Sequence, residues 1–158
     1  MENSLLFYKR ILIVDDESDV LDTLEDILSK CDIVRATTFE EAKGLLETQY
    51  FDMAILDIMG VDGYKLLEIA NKKKVIAVML TAHALSPEST VKSFKEGAAY
   101  YVPKEEMGNI PTYLNDILEA KLAGEKPWSR WMTRFVAYYD TKFGPKWQED
   151  HKEFWDAF

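Results

Sequence analysis

The chain has 158 residues, of which 47% are hydrophobic and 30% are charged, and its formal net charge is −9. This composition suits one globular domain with an appendage and excludes intrinsic disorder, and the acidic balance argues against broad binding of nucleic-acid phosphates. The longest unbroken apolar run covers residues 75–80, far below the roughly 20 residues of a membrane-spanning helix. With a single cysteine, Cys31, and no secretory signal pattern, we expect a cytoplasmic protein without an intramolecular disulfide.

Short apolar runs alternate with amphipathic helical patterns along the first 122 residues. The predicted strands cover residues 11–14, 33–36, 53–56, 75–80 and 99–102, and a helical pattern follows each of them. Because these runs are apolar throughout, they are typical of strands covered on both faces. Five consecutive strand–helix units with right-handed crossovers predict an α/β fold with a doubly wound, five-stranded parallel sheet.

Local signals mark where two of the helices begin. Thr38 with Glu41 forms a capping box before the second helix. Ser86 followed by Pro87 indicates the start of the fourth helix, and Gly97 marks its end.

Polar side chains follow four of the predicted strands. Asp15 and Asp16 follow the first strand, Asp57 the third and Thr81 the fourth, while Lys104 lies shortly after the fifth. Ligands of parallel α/β sheets bind beyond the carboxyl ends of the strands. We therefore expect these five side chains to converge at one edge of the sheet.

The expected cluster suits phosphoryl chemistry. Three adjacent carboxylates stay ionised only if a cation joins them, and Mg²⁺ prefers such oxygen ligands. Lys104 adds a positive charge and Thr81 a hydroxyl for phosphoryl oxygens, and Asp57 can serve as the nucleophile. Taken alone, Asp16 is better explained as a cap of the first helix.

Several of these segments together resemble the receiver domain of two-component response regulators. The matching segments are residues 11–17 (Ile-Leu-Ile-Val-Asp-Asp-Glu), 55–57 (Ile-Leu-Asp), 62–63 (Asp-Gly), 80–82 (Leu-Thr-Ala) and 97–104 (Gly-Ala-Ala-Tyr-Tyr-Val-Pro-Lys). Each segment alone is a weak signal, but all of them in order, each after its own strand, are highly specific. The resemblance covers about residues 9–122 and implies the flavodoxin-like (βα)₅ receiver fold.

The resemblance also implies roles for the cluster. Asp57 would accept a phosphoryl group from a histidine kinase or phosphotransfer protein. Asp15 and Asp16 would hold Mg²⁺ together with Asp57 and the main-chain carbonyl of Met59, and Lys104 would pair with the phosphoryl oxygens. The chain would then be a signalling protein rather than an enzyme with a separate substrate.

The family's switch residues have counterparts here. Thr81 would swing to bond the phosphoryl group, and Tyr101, three residues before Lys104, would turn inward as it does so. Met59 and His83 match two positions that influence how fast the phosphoryl group is hydrolysed in the family, although His83 is better explained as a solvated loop residue.

Two departures from the family pattern stand out. Gly63 comes six residues after Asp57, whereas the family usually has about eight residues and a Met-Pro pair there. Pro103 precedes Lys104 and Glu105 follows it, whereas the family usually has a proline after the lysine, joined by a cis bond. We therefore expect a trans bond between Lys104 and Glu105.

The last residues of the chain differ in composition from the rest. Residues 1–122 carry 13 basic and 22 acidic residues, whereas residues 125–158 carry six of each, ten of the 20 aromatic residues and all four tryptophans. We therefore predict a receiver domain at 1–122 and an aromatic-rich extension at 123–158. Residues 128–143 predict one helix, Gly144-Pro145 a break, and the stripe from Trp147 to Phe158 a second helix, which together make a helical hairpin.

Three explanations fit the aromatic stripes of residues 128–158. The rings could pack on the chain's own receiver domain, they could form a surface for a homodimer or another protein partner, or they could lie on a membrane surface. The acidic residues of this segment oppose contact with anionic lipid, and the extension is too short and too balanced in charge for a DNA-binding domain. We expect neither nucleic-acid nor membrane binding.

Three functions remain open from the sequence. The first is a phosphorylated receiver that signals through protein contacts. The second is a receiver-like adaptor that works without phosphorylation. The third, an aspartate-nucleophile phosphatase of the haloacid dehalogenase class, is disfavoured because Met59 stands where that class has its second aspartate.

Overall fold

The computed structural model describes residues 4–82 and 86–157. Its five parallel strands form one sheet in the order β2-β1-β3-β4-β5, which confirms the predicted α/β fold. The strands are β1 Arg10–Val14, β2 Asp32–Ala36, β3 Met53–Asp57, β4 Ile76–Thr81 and β5 Tyr100–Pro103. Asp57 and Thr81 are therefore the last residues of β3 and β4, and each of these strands ends one residue later than predicted.

Helices connect the strands and continue after them. Helices α1–α5 cover Ser18–Ile27, Phe39–Thr48, Gly63–Lys72, Pro87–Lys95 and Ile110–Leu122, and α6 and α7 cover Trp131–Phe143 and Lys152–Asp156. Short 3₁₀ turns cover Ser4–Leu6, Lys104–Asn109 and Glu149–His151. Within the part of the chain that is described, no helix is both long and apolar enough to cross a membrane.

The predicted helix starts are confirmed by their caps. The Thr38 hydroxyl accepts a hydrogen bond from the Glu41 amide at 3.1 Å, and the Ser86 hydroxyl accepts one from the Ser89 amide at 3.0 Å. Each cap satisfies an amide that the first turn of a helix leaves unpaired. Asp16 does not cap α1, whose first turn is preceded by Glu17 without a side-chain cap.

The edge strand β5 has different neighbours on its two faces. The Tyr100 ring stacks on Tyr113 of α5, whereas the Tyr101 hydroxyl lies 2.5 Å from the Ser89 hydroxyl of α4. Successive side chains of a strand point to opposite faces of its sheet. Helices α4 and α5 therefore flank β5 from opposite sides.

Residues 128–157 pack on this edge of the sheet. We call residues 128–157 the C-terminal cover. Its rings Trp131, Phe135 and Tyr139 are buried within the same hydrophobic core as the sheet, with Trp131 and Tyr139 fully buried. Of the three explanations for the aromatic stripes, the structure agrees with packing on the chain's own receiver domain.

The predicted helical hairpin needs two corrections. The first helix begins at Trp131 rather than at Trp128, and it ends at Phe143 before Gly144, as predicted. The second helix is much shorter than the stripe from residue 147 to 158, because a 3₁₀ turn at Glu149–His151 precedes a five-residue α7. A helical spacing of aromatic residues does not require one continuous helix when irregular turns bring the same rings inward. Phe158 lies outside the described residues.

Candidate functional site

Three carboxylates converge where β1 and β3 end. Asp15 follows β1 directly, Asp16 follows Asp15, and Asp57 ends β3. One carboxylate oxygen from each lies within 4.8 Å of the others, and Asp15 and Asp57 are buried while Asp16 is exposed. The structure therefore brings together the three acids that the sequence placed at separate strand ends.

Lys104 supplies the local positive charge. Its Nζ lies 2.8 Å from Asp15 Oδ2, 3.4 Å from Asp57 Oδ1 and 2.8 Å from Glu17 Oε1. Burial by itself would lower the pKa of Lys104, but the hydrogen bonds to Asp15 and Glu17 and the charge of Asp57 outweigh it and raise the pKa. The positively charged amine therefore joins Asp15, which follows β1, to Asp57, which ends β3.

Asp15 is held in an environment that penalises its charge. Burial raises the pKa of its carboxyl, and the nearby Asp57 adds to this effect, although Lys104 and the Glu17 amide oppose it. That amide donates to Asp15 Oδ1 at 2.9 Å. Buried carboxylates that repel one another in this way favour a cation between them.

The ligand set of this cluster suits a hard divalent cation. All three side chains offer oxygen atoms, and the described residues around them add no thiolate or imidazole to the group. Oxygen ligands in small number, with room for water, are typical of Mg²⁺. Asp15, Asp16 and Asp57 thus fit the metal that the sequence predicted.

The loop after Asp57 approaches the cluster closely. The Gly60 amide donates to Asp57 Oδ2 at 3.0 Å, and a Cβ at Gly60 would overlap the Asp16 carboxylate. Asp62 adopts a left-handed backbone with φ 58°, which allows the short loop to turn into α3 at Gly63. The loop from Asp57 to Gly63 is shorter than the family pattern. It fits beside the site because Gly60 has no side chain that would overlap the Asp16 carboxylate.

An open pocket of about 240 Å³ gives access to the cluster. It is lined by Asp16, Glu17, Asp57, Met59, Gly60, Ala82 and Lys104. The Met59 side chain is 69% exposed at its rim. A larger cavity of about 430 Å³ lies between Leu6, Leu28 and Cys31, but its lining is mostly apolar and holds none of the three aspartates. The smaller pocket is therefore the candidate functional site, because it contains the carboxylates and the lysine.

Thr81 and Tyr101 lie on one face of the sheet. The register pairs Thr81 with Pro103 and Met79 with Tyr101. Paired residues of neighbouring strands point to the same face, so Thr81 shares a face with Pro103. Side chains alternate along a strand, so Tyr101, two residues before Pro103, points to that face as well. Both are buried, and burial raises the pKa of Tyr101 to about 12.

The peptide bond between Lys104 and Glu105 is trans, as predicted. No cis peptide is present in the described residues, so the bond from Lys104 to Glu105 is trans. A 3₁₀ turn over Lys104–Asn109 follows and leads into α5. The amine nevertheless reaches Asp15 and Asp57, so this chain does not need a proline after the lysine to direct it to the cluster. His83 lies outside the described residues.

Sequence reasoning missed four residues near the site. Glu17 pairs with Lys104, Gly60 packs on Asp16, and Ser89 and Thr90 of α4 contact tyrosine hydroxyls. Gly60 could have been found, since a glycine three residues after the nucleophile suggests close backbone approach. The other contacts depend on tertiary placement that no local pattern encodes.

Comparison with known proteins agrees with this architecture. A family model described as the response regulator receiver domain matches residues 11–114, so the chain belongs to the response regulator receiver domain family. The two-component response regulator ARR10 of Arabidopsis thaliana is 35% identical over 113 residues, which are 64% of this chain and 20% of that protein. This chain thus spans about a fifth of the length of that relative.

Solved structures show the same fold. A CheY-like response regulator receiver domain protein from Methanospirillum hungatei JF-1 has a TM-score of 0.61 and 33% identity, covering 74% of this chain and 95% of that one. The BeF3-activated receiver domain of DrrB has a TM-score of 0.63 and 25% identity, covering 72% of this chain and 99% of that one; DrrB is a Thermotoga maritima protein. These matches cover most of this chain and nearly all of each receiver domain.

Proposed function

We propose that this receiver accepts a phosphoryl group on Asp57 from a histidine kinase or phosphotransfer protein. An Asp57 carboxylate oxygen attacks the phosphorus of a phosphohistidine and forms the new P–O bond. The P–N bond breaks, its electron pair stays on the imidazole, and that ring takes up a proton. The observation that carries the proposal is the buried cluster of Asp15, Asp57 and Lys104, with Nζ–oxygen distances of 2.8 and 3.4 Å.

Each residue around Asp57 has a role in this transfer. Asp15 and Asp16 would hold Mg²⁺ together with Asp57 and the Met59 carbonyl, and bound Mg²⁺ would neutralise charge on the phosphoryl oxygens. Lys104 would exchange its contact with Asp57 for one with a phosphoryl oxygen. Thr81 would donate its hydroxyl to another of these oxygens, and Tyr101 would hold the resulting arrangement from the same face of the sheet.

The output that we propose is protein contact rather than chemistry on a separate substrate. A phosphoryl group adds negative charge next to Lys104 and Thr81, and such a local change can bias a two-state element. We expect the signal to be read by another protein or by the C-terminal cover, without binding of nucleic acid or membrane, in the cytoplasm.

The direct test is phosphorylation by a small donor. The full chain is incubated with acetyl phosphate and Mg²⁺, and its intact mass is measured. We expect addition of one phosphoryl group, which is lost in Asp57→Asn and in EDTA and is kept in Asp62→Asn. Asp62 is a matched control because it is an exposed carboxylate five residues away. Uptake that persists in Asp57→Asn would contradict the assignment of the acceptor.

A phosphorylation-independent adaptor is the second candidate. It is favoured by the tight packing of Gly60 on Asp16 and by the triple pairing of Lys104, which stabilise the site without any ligand. An Asp57→Asn chain that keeps full activity in the cell would support this candidate.

A further inference from the structure

The C-terminal cover contacts the receiver through specific polar bonds as well as through rings. The Trp131 indole donates to the Tyr101 carbonyl at 2.8 Å, and Arg134 binds the buried Asp116 of α5 through two hydrogen bonds of 2.8 and 3.0 Å. The Tyr139 hydroxyl lies 2.6 Å from the Thr90 hydroxyl of α4. These bonds fix α6 in one position over β5, between α4 and α5.

A series of hydrogen-bond contacts runs from the cover to Tyr101 through buried Thr90 and half-buried Ser86 and Ser89. Thr90, which contacts Tyr139, also donates to the Ser86 carbonyl at 2.7 Å. The Ser86 hydroxyl lies 3.2 Å from that of Ser89, which in turn lies 2.5 Å from the Tyr101 hydroxyl. The first turn of α4 thus joins Tyr139 of the cover to Tyr101 of the receiver sheet.

The cover also contacts the backbone of Tyr101. Because β5 is the edge strand, the Tyr101 carbonyl needs a partner from outside the sheet, and the Trp131 indole supplies it. Tyr101 is fully buried under this arrangement. Its ring therefore keeps an inward position that α6 and α4 stabilise from two sides.

We infer that the C-terminal cover is a built-in interaction partner of the receiver that stabilises the inward position of Tyr101 and thereby strengthens ligand binding at Asp57. The inference rests on the proposed function, in which a phosphoryl group on Asp57 draws Thr81 inward and favours the same position of Tyr101. Two events that favour one conformation must strengthen each other, and the coupling is reciprocal. Loading of Asp57 therefore tightens the cover, and loss of the cover contacts weakens loading.

The proposed coupling has a definite sign, because the cover could be either released or held more firmly when Asp57 is loaded. A cover that merely blocked the receiver would be displaced when Asp57 is loaded, and its amides would exchange faster. A cover that binds the receiver better when Tyr101 points inward is held more firmly, and its amides exchange more slowly. The two alternatives thus differ in the sign of one measurable change.

The experiment is amide hydrogen exchange of the full chain in Mg²⁺, with and without beryllofluoride as a mimic of the phosphoryl group. We expect exchange of α6 amides to slow about fivefold on addition of beryllofluoride, the lower end of typical coupling. Tyr139→Phe and Thr90→Val each remove one side of the hydroxyl contact. In each variant the slowing should fall below about twofold, and beryllofluoride should bind about fivefold more weakly.

Tyr113→Phe is the matched control. It removes a tyrosine hydroxyl that bonds Glu106 at 3.2 Å and has no contact with Tyr139 or Thr90 among the described hydrogen bonds. This variant should keep the fivefold slowing of α6. If Tyr139→Phe also kept it, the hydroxyl chain would not carry the coupling and the inference would be wrong.

Amides of the aspartate site separate failure of the inference from failure of the proposed function. Slower exchange at Gly60 with unchanged or faster exchange in α6 would overturn the inference and leave the proposed function standing. Unchanged exchange at Gly60 would show that Asp57 takes no phosphoryl mimic, and the proposed function would fail together with the inference.

Discussion

Charged groups hold the aspartate site together, whereas aromatic rings and hydroxyls hold the C-terminal cover on the same sheet. At the site, Asp15 and Asp57 repel each other and depend on Lys104. In the cover, Trp131 contacts the described rings of Phe94, Phe135, Tyr139 and Trp155 at centroid distances of 5.1–5.8 Å. A bound cation would therefore add stability to the aspartate site, whereas the packed rings of the cover stabilise the sheet without a ligand.

The largest effect is expected at the centre of the cover. Trp131→Ala removes a fully buried ring and the partner of the Tyr101 carbonyl, and it should lower the free energy of unfolding by about 3–5 kcal/mol. Urea unfolding of the full chain measures this. Leu122→Ala, at a side chain that is 75% exposed, should change it by less than about 0.5 kcal/mol. A loss below about 1 kcal/mol for Trp131→Ala would mean that the cover is detached in solution.

A second effect should appear at alkaline pH. Burial raises the pKa of Tyr101 from 10.0 to about 12. Between these pH values the phenol ionises in the unfolded chain but stays protonated in the folded chain, so the free energy of unfolding decreases. The stability from this group is complete below pH 10 and is lost as pH rises through about 12, a loss of roughly 3 kcal/mol at most. Urea midpoints across this range should fall less steeply in Tyr101→Phe. Identical pH profiles would show that Tyr101 is not buried.

A smaller effect of opposite sign is expected at the site. Asp15→Asn removes a charge that is penalised mainly by its burial and further by the nearby Asp57, so in EDTA it should stabilise the chain by about 1 kcal/mol. Addition of Mg²⁺ should reverse the ranking, because the native chain alone keeps all three carboxylates. Asp19→Asn, at an exposed position of α1, is the control and should behave as the native chain does. Destabilisation by Asp15→Asn in EDTA would mean that the ion pair with Lys104 outweighs the cost of burying the Asp15 charge beside Asp57.

The smallest effect on stability is expected in the loop after Asp57. Gly60→Ala places a Cβ against the Asp16 carboxylate, which can move because it is the end of an exposed side chain. Stability should change by less than about 0.5 kcal/mol, while Mg²⁺ should bind about threefold more weakly. The control is Gly44→Ala, in open space within α2, which should raise helix stability by about 0.5–1 kcal/mol and leave Mg²⁺ binding unchanged. Equal Mg²⁺ affinity in both variants would place Asp16 outside the metal site.

The aspartate site and the C-terminal cover also differ in how much of their structure can be predicted from the sequence. Asp15, Asp57 and Thr81 could be placed because each ends or follows an apolar run, and parallel strands bring their carboxyl ends to one edge. The contact of Trp131 with the Tyr101 carbonyl could not, because it joins residues 30 positions apart without a local signal. Helical spacing predicted the rings of the cover, but it overestimated the length of α7. Trp155 is buried from α7 itself, whereas Trp147 is buried from a turn that precedes it. The division at residue 122, the roles of the site residues and the metal ligands stay predictions.

Tryptophan emission tests most directly whether the two regions act together. All four tryptophans lie in the C-terminal cover, so emission reports on the cover alone. We predict that beryllofluoride with Mg²⁺ changes the emission of the native chain, and that Asp57→Asn and Tyr139→Phe each remove most of this change. Unchanged emission in a sample whose fluorine NMR spectrum shows bound beryllofluoride would contradict the account, because the site would then be loaded without any effect on the cover.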